Sequence, residues 1–312
     1  MNITKYIVLI LKGCAMGMAD VVPGVSGGTI AFISGIYEEL INSIKKVDVQ
    51  AFKMIAMLRF GDFWRHINGN FLFSVLLGVA ISIFSLARVM TYLLEYHPIE
   101  IWSFFFGLII ASSLLVARSV GHWNVRTVIS FVAGIVIAYW ITVVSPTETP
   151  NAWWFLFLSG AIAICAMILP GISGAFILLL MGKYQYIMQA VGDFNIPIII
   201  IFVLGAVTGI ISFSHLLSWL LKHWHDCTIT LLMGFMIGSL NKVWPWKETV
   251  ETYINSHGEV LPLVERNVTP HQFTVATGVD SQVLLAITIC ILGFLLIYAV
   301  ELIGAMVLKK RS

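Results

Sequence analysis

The chain has 312 residues, of which 59% are hydrophobic and 11% are charged. Soluble domains carry about 25% charged residues, so this chain has too few polar side chains to cover a water-soluble globule. The composition excludes a soluble enzyme and a disordered regulator, and a net charge of +2 gives no reason to expect a nucleic-acid partner. We predict an integral membrane protein whose first partner is the lipid bilayer.

Ten apolar stretches follow one another along the chain, and a spanning helix needs roughly 20 such residues. They lie at about 4–22, 26–44, 70–95, 99–118, 124–145, 152–169, 173–190, 196–222, 228–240 and 283–308. An uncharged turn, Val22–Thr29, separates the first two, and a similar turn, Leu169–Gly174, separates the sixth and seventh. A membrane tolerates such a turn where its backbone is buried in protein. We therefore predict two hairpins that re-enter the membrane.

The second half of the chain repeats the first. A shift of 147 residues places Pro23–Gly27 on Pro170–Gly174, and a shift of 127 residues places Gly78 on Gly205. Apolar residues match by accident, but a recurring Pro-Gly-x-Ser-Gly does not. Each half then has five segments, and an odd number of segments inverts the second half relative to the first.

The predicted fold is an all-α polytopic membrane protein with an inverted-topology repeat. Its halves are residues 1–150 and residues 151–312, and the second half carries an external loop at about 241–282. Each half contributes one re-entrant hairpin, and about six helices cross the membrane fully. A Trp-Pro-Trp run, Trp244–Trp246, would anchor the external loop at the membrane interface.

The distribution of Lys and Arg orients this arrangement, because cytoplasmic loops carry an excess of both. If the first hairpin opens to the cytoplasm, 13 of the 18 basic residues lie there. The thirteen are Lys5, Lys12, Lys45, Lys46, Lys53, Arg59, Arg65, Arg118, Arg126, Lys222, Lys309, Lys310 and Arg311. We expect both termini to lie in the cytoplasm. Residues 45–69 could form an amphipathic helix on the inner leaflet or a solvated loop.

The two turns have the composition of an anion site. Their candidate head-group residues are Ser26, Gly27, Gly28, Thr29, Ser173 and Gly174. Both serines stand where a helix N-cap would be, and free amides at a helix N-terminus bind phosphate or carboxylate. Glycine lets a ligand approach the backbone. The alternative is that Gly and Ser only allow close helix packing.

Charged residues within apolar segments are costly and point to function. Arg88 is the candidate phosphate clamp, because a guanidinium holds phosphate through two parallel hydrogen bonds; snorkelling to the interface is the alternative. Arg118 could reach a head group from the cytoplasmic side or act as a topology anchor. Asp20, Glu38 and His215 are candidate carriers of a coupling cation, either protons or sodium. The chain has no pattern that indicates a catalytic group, a metal site or a cofactor.

Several runs resemble the signature of the bacterial polyprenyl-phosphate transporter family. They are Gly17–Thr29, Gly35–Glu38, Leu169–Gly174 and Gly238–Lys247, and the resemblance extends over nearly the whole chain. It implies a flippase that returns undecaprenyl phosphate, the carrier lipid of peptidoglycan synthesis, from the outer to the inner leaflet. Ala175–Phe176 departs from the pattern, since a second small hydroxyl residue is expected there.

An inward-moving anionic head group needs a driving force. Moving one negative charge toward the negative side costs about 2.3 kcal/mol per 100 mV, whereas a tenfold lipid gradient supplies about 1.4 kcal/mol. We therefore expect one or more cations to accompany the lipid, which stays in the bilayer by its tail. The oligomeric state, including a homo-oligomer, is left open.

Two other functions fit the same turns. A membrane phosphatase acting on a polyprenyl pyrophosphate would need a base beside its serine nucleophile, but glycine follows each turn serine, Gly27 and Gly174, and neither turn has a neighbouring histidine. A transporter of a small soluble anion could use the same amides, and the sequence discriminates poorly against it.

Overall fold

A computed structural model of the chain describes residues 3–21, 26–144, 149–254 and 260–309. It is 78% helical and is an all-α membrane protein, as predicted, with one small β-hairpin. Its elements are α1 (Ile3–Val21), α2 (Gly27–Ile33), α3 (Tyr37–Lys45), α4 (Val49–Ala56), α5 (Phe60–His66), α6 (Gly69–Tyr96), α7 (Pro98–Ser119), α8 (Val125–Val143), α9 (Trp153–Ile168), α10 (Gly174–Leu180), α11 (Tyr184–Gly192), α12 (Ile196–His223), α13 (His225–Ser239), β1 (Lys247–Ile254), β2 (Val260–Asn267), α14 (Pro270–Thr277) and α15 (Val283–Lys309).

Two helical hairpins are formed at the predicted turns, and we call them hairpin A (α1 with α2) and hairpin B (α9 with α10). In hairpin B the chain must break after α9, because Pro170 has no backbone N–H to continue the helix. Gly171 then adopts φ +83°, which favours glycine. Hairpin A resumes at Ser26, and its Pro23–Gly24 lies outside the described residues. Both returning helices, α2 and α10, are seven residues long.

Four tightly packed helix pairs build the body of the protein: α1 with α6, α9 with α12, α7 with α15, and α8 with α13. In every pair, a glycine on each helix lies so close to the backbone of the other that a Cβ would collide with it. These glycines are Gly13, Gly78, Gly160, Gly205, Gly107, Gly293, Gly134 and Gly234. Membrane helices associate through such small residues, because lipid gives apolar side chains no reason to leave it.

The outer surface of the bundle is apolar. On α8, Val128, Ile129, Val132 and Val136 are all exposed, which suits contact with lipid tails. Among the described residues, three helices are long and apolar enough to cross a membrane, namely α7, α8 and α12. Shorter apolar stretches lie in α6, α9 and α15. The count of six full spans stays a prediction.

The segment that the sequence analysis left open, 45–69, is largely helical. It forms α4 and α5, joined at Leu58, which has a positive φ. Large apolar side chains on it, including Met57, Leu58 and Phe60, are each more than half exposed. A solvated loop is therefore the poorer description of this segment.

The predicted external loop, 241–282, has more structure than expected. It contains the antiparallel β1–β2 hairpin and the short helix α14. Within the predicted anchor Trp244–Trp246, Trp246 is buried and its Nε1 donates to the Ser281 carbonyl. Trp244 likewise donates to the Val268 carbonyl. The two indoles hold the loop together and pack it on the bundle.

Replacing Gly78 with alanine tests the close packing of α1 and α6. The new Cβ would collide with the Ile10 carbonyl oxygen and come 2.8 Å from the Cys14 nitrogen. We expect Gly78→Ala to lower the free energy of unfolding by about 1–3 kcal/mol through overpacking. The measurement is the thermal unfolding midpoint in detergent. The control is Gly61→Ala in α5, where a Cβ meets nothing within 4 Å; equal midpoints in the two variants would contradict the packing argument.

Candidate functional site

The turns of hairpins A and B meet inside the bundle. Ser26 Oγ donates to the Met167 carbonyl oxygen at 2.7 Å. In the other direction, the Gly171 backbone nitrogen donates to Thr29 Oγ1 at 2.8 Å. Ser26 is 1% exposed and Thr29 is fully buried. Each turn thus satisfies a polar group of the other turn in a place that water does not reach.

Each returning helix starts with the serine that the sequence predicted as its N-cap. Ser26 Oγ accepts from the Gly28 nitrogen at 3.0 Å, and Ser173 Oγ accepts from the Phe176 nitrogen at 3.4 Å. The N-cap oxygen replaces a partner that the first turn of a helix lacks. Glycine follows each cap because there is no room for a side chain at this position. A Cβ on Gly174, for example, would lie 2.5 Å from the Ala163 carbonyl oxygen.

The Asp20 carboxylate binds the first backbone amide of α2, that of Gly27. Its Oδ1 accepts from the Gly27 nitrogen at 2.7 Å, a charge-assisted hydrogen bond when the carboxylate is ionised. A Cβ on Gly27 would lie 2.5 Å from Asp20 Oδ2, so the carboxylate rests directly against the glycine. The Asp20 carboxylate therefore binds at the position where the sequence predicted an anionic ligand.

The amides of the turns are bonded in this conformation. The sequence analysis expected free amides, but the Gly27 nitrogen is bound by Asp20, the Gly28 nitrogen by Ser26, and the Gly171 nitrogen by Thr29. A buried amide without a partner would be costly. A head group can therefore bind these three amides only by exchanging places with their internal partners.

Two candidate coupling residues lie away from the turns. Glu38 pairs with His225 across 3.3 Å, near the start of α13, and more than half of its side chain is exposed. His215 Nδ1 lies 2.8 Å from the Ile211 carbonyl oxygen in its own helix. His215 also lines a cavity of about 370 Å³ with Asn42, Lys45, Lys46 and Asp48. Of the three predicted cation carriers, the structure brings Asp20 alone to the turns.

The two predicted arginines, Arg118 and Arg88, lie on the neighbouring helices α7 and α6. Arg118 stands in the last turn of α7, with its guanidinium carbon 5.4 Å from the centre of the Tyr298 ring on α15. This is a cation–π contact at the end of the bundle. Arg88 lies in α6, but its side chain is outside the described part of the structure.

Lys12 and Lys183, which were not among the predicted site residues, link the two arms of hairpins A and B. Lys12 Nζ donates to the Ser34 carbonyl oxygen at 2.6 Å, which ties the end of α2 to the middle of α1. Lys183 Nζ donates at 2.6 Å to both the Thr149 carbonyl oxygen and Asn151 Oδ1. Their position as lone lysines within apolar stretches was the available signal.

An apolar helical bundle with polar turns buried in its interior defines a polytopic membrane protein. Residues 16–261 match the family described as undecaprenyl phosphate translocase-like, and the chain belongs to this family. It is 47% identical over 297 residues to the polyprenyl-phosphate transporter of Vibrio cholerae, covering 95% of this chain and 96% of that one. It is 34% identical over 254 residues to the polyprenyl-phosphate transporter of Staphylococcus aureus, covering 76% of this chain and 85% of that one.

These names describe transporters and not enzymes. No solved structure matches the chain significantly. The family confirms the resemblance that the turn motifs predicted.

Replacing Thr29 with valine tests the bond between the turns. Valine keeps the shape but removes the oxygen, so the buried Gly171 N–H loses its acceptor. We expect Thr29→Val to lower the free energy of unfolding by about 1–3 kcal/mol, whereas Thr29→Ser keeps the acceptor and most of the stability. The measurement is thermal unfolding in detergent, with Thr277→Val on exposed α14 as the control. Equal stability of Thr29→Val and Thr29→Ser would refute the role of this hydrogen bond.

Proposed function

We propose that this protein is a lipid transporter that carries undecaprenyl phosphate from the outer to the inner leaflet of the bacterial inner membrane, so that the carrier lipid is used again. Family membership and two relatives named polyprenyl-phosphate transporter support the substrate class. The observation that carries the mechanism is the hydrogen-bonded contact of the two turns, because it gathers backbone amides and hydroxyls inside an apolar bundle.

We infer that hairpins A and B enter the membrane from opposite sides within an inverted repeat. The Lys12 bond to Ser34 supports the return of α2 toward the side from which α1 starts. A hydrogen bond from Thr149 to the Met181 carbonyl supports the same return of α10 toward the start of α9. The excess of basic residues on one side supports an orientation with both termini in the cytoplasm.

The proposed head-group site consists of the turn residues, with Ser26, Thr29 and Ser173 as hydroxyl partners and the neighbouring glycine amides as donors. A phosphate can accept hydrogen bonds from several of these groups at once. We propose that Arg88 and Arg118 bind the phosphate, one before it reaches the turns and the other after it leaves them. A tail of some tens of carbons stays in the bilayer, since the apolar exposed surface of helices such as α8 suits a lipid chain.

Exchange at Asp20 is the proposed link to a coupling cation. Asp20 and the phosphate compete for the Gly27 amide, and two anions at one amide repel each other. Protonation of Asp20 removes its charge and lets the phosphate replace it. One proton carried inward also offsets part of the cost of moving an anion against the membrane potential. Sodium remains an alternative coupling cation, and Glu38 and His215 remain alternative carriers of it.

The geometry disfavours a phosphatase. A serine nucleophile must hand its proton to a base, but the Ser26 hydroxyl donates its proton to the Met167 carbonyl oxygen, which cannot serve as one. A small soluble anion would use the same amides, and it is separated from the lipid by direct competition. Excess inorganic phosphate that blocks lipid transport would favour the small anion.

Asp20→Asn tests the coupling proposal. Asparagine still accepts from the Gly27 amide through its oxygen, but it neither ionises nor takes up a proton. We expect the variant to fold and to lose the dependence of transport on an imposed pH difference. The measurement is inward movement of a fluorescent short-chain polyprenyl phosphate in proteoliposomes. Asp280→Asn, which is exposed and also accepts a backbone hydrogen bond, is the control. An undiminished pH response in Asp20→Asn would assign coupling to another group.

Ser26→Ala and Arg88→Ala test the proposed site in the same assay. Each removes a group assigned to the head group, and loss of one charged or hydroxyl contact typically reduces a rate by about tenfold or more. Ser119→Ala and Arg126→Ala are matched controls on exposed residues. Full transport by both site variants, with wild-type amounts of folded protein, would remove these residues from the site.

A further inference from the structure

Two lysines and one glutamate meet where the chain leaves α13 and enters the β1–β2 hairpin. Lys242 Nζ lies 3.1 Å and Lys247 Nζ 3.6 Å from the same atom, Glu265 Oε2. The neighbouring pair of Arg266 with Glu248 is more exposed and is closed by its own 2.7 Å contact. The three-residue cluster therefore sets two positive charges against one negative charge.

Lys247 is the unusual member of this cluster. Its side chain is 8% exposed and its Nζ is buried, yet that nitrogen makes no hydrogen bond within the described residues. It is stabilised by the charge of Glu265, at 3.6 Å, and by the Trp102 ring, whose centre lies 3.9 Å away. An ammonium has three donors, and burying it without acceptors is costly. A ligand with several acceptor oxygens would satisfy it.

The cluster lies next to the turns of hairpins A and B. Lys242 Nζ is 4.7 Å from the centre of the Phe176 ring, and the Phe176 amide is the one capped by Ser173. Trp102 belongs to the same buried cluster as Ala19, the residue before Asp20. A head group that left this cluster would thus pass directly to the proposed site.

The carboxylate of Glu265 is ionised while it lies between the lysines. Burial by itself would raise the pKa of Glu265, but the charges of Lys247 and Lys242 outweigh burial and hold this pKa below its ordinary value. A phosphate monoester has a second pKa near 6 and is largely a dianion at neutral pH. It would balance two lysines better than one carboxylate does, and it offers three acceptor oxygens.

We propose that Lys242 and Lys247 form a binding site for a phosphate monoester, and that the Glu265 carboxylate holds the place that the phosphate takes. The inference rests on the proposed function and adds a first station for the lipid head group at the end of the bundle that carries the β-hairpin. Glu265 acts there as an internal competitor, as Asp20 does at the turns.

Titration of the purified full chain in detergent with farnesyl phosphate, a short-chain polyprenyl phosphate, tests this site. Lys247→Met and Lys242→Met should each weaken binding by about tenfold, since each removes a charged hydrogen-bond donor. Glu265→Gln should tighten binding several-fold, because the competitor loses its charge. Arg266→Gln removes one positive charge from the same strand without touching the cluster and should bind as wild type does.

The dependence on pH gives a second readout. Burial lowers the pKa of Lys247 to about 8, with the Glu265 charge opposing this shift and the Lys242 charge adding to it. Lys247 is charged below that value and neutral above it, so binding of farnesyl phosphate by the wild type should weaken from about pH 7 to about pH 9. The same weakening should be absent from Lys247→Met.

A purely structural ion pair predicts the opposite pattern. Glu265→Gln would then lower the thermal unfolding midpoint without tightening the binding of farnesyl phosphate, and that result would overturn the proposal. The binding of farnesol, which lacks the phosphate, should be the same in the wild type and in all of these variants. If wild-type protein fails to transport polyprenyl phosphate in proteoliposomes, the proposed function fails; if it transports and all lysine variants bind normally, only this site fails.

Discussion

The hydrogen bond from the Ser26 hydroxyl to the Met167 carbonyl joins segments 141 residues apart in the chain. A bent backbone inside an apolar bundle has amides and carbonyls that neither water nor lipid can satisfy. The protein solves this by setting two bends against each other, so that Ser26 serves a carbonyl of hairpin B and Thr29 serves its Gly171 amide. The Met167 carbonyl and the Gly171 amide of hairpin B are thus satisfied by side chains of hairpin A, and the position of hairpin B depends on hairpin A.

This mutual satisfaction also constrains transport. Three amides of the turns, those of Gly27, Gly28 and Gly171, are bound by Asp20, Ser26 and Thr29 in the described conformation. A head group can enter by exchange, with one acceptor replacing another, and exchange avoids the cost of an unpaired buried amide. Asp20 at the turns and Glu265 beside Lys242 and Lys247 follow the same principle, since each is an internal carboxylate where an external anion would bind.

Several of these features could be predicted from the sequence because they repeat or because they break a rule. The motif Pro-Gly-x-Ser-Gly breaks an apolar run twice, so both hairpins and both serine caps were predictable. The partners across the turns were not. Nothing in the local sequence distinguishes Met167 from its apolar neighbours, since its carbonyl and not its side chain receives the Ser26 hydroxyl.

Charged residues were harder to place than turns. Asp20 and Glu38 both flank hairpin A in sequence, but only their positions in space separate a carboxylate on the Gly27 amide from one paired with His225. Residues 241–282 were expected to form a loop, because short strands with mixed polar and apolar residues give a weak periodic signal. That expectation concealed Lys247, whose burial depends on Trp102 from a distant helix.

The helix pairs have a consequence for biosynthesis. Gly107 on α7 packs against Cys290 on α15, so α7 receives a packing partner that is made more than 160 residues later. A ribosome adds about 5–20 residues per second, so α7 leaves it roughly 10–40 s before α15 does. During that interval lipid or the insertion machinery must cover the glycine face of α7. The emergence of α15 from the ribosome thus completes a helix pair that α7 began well before it.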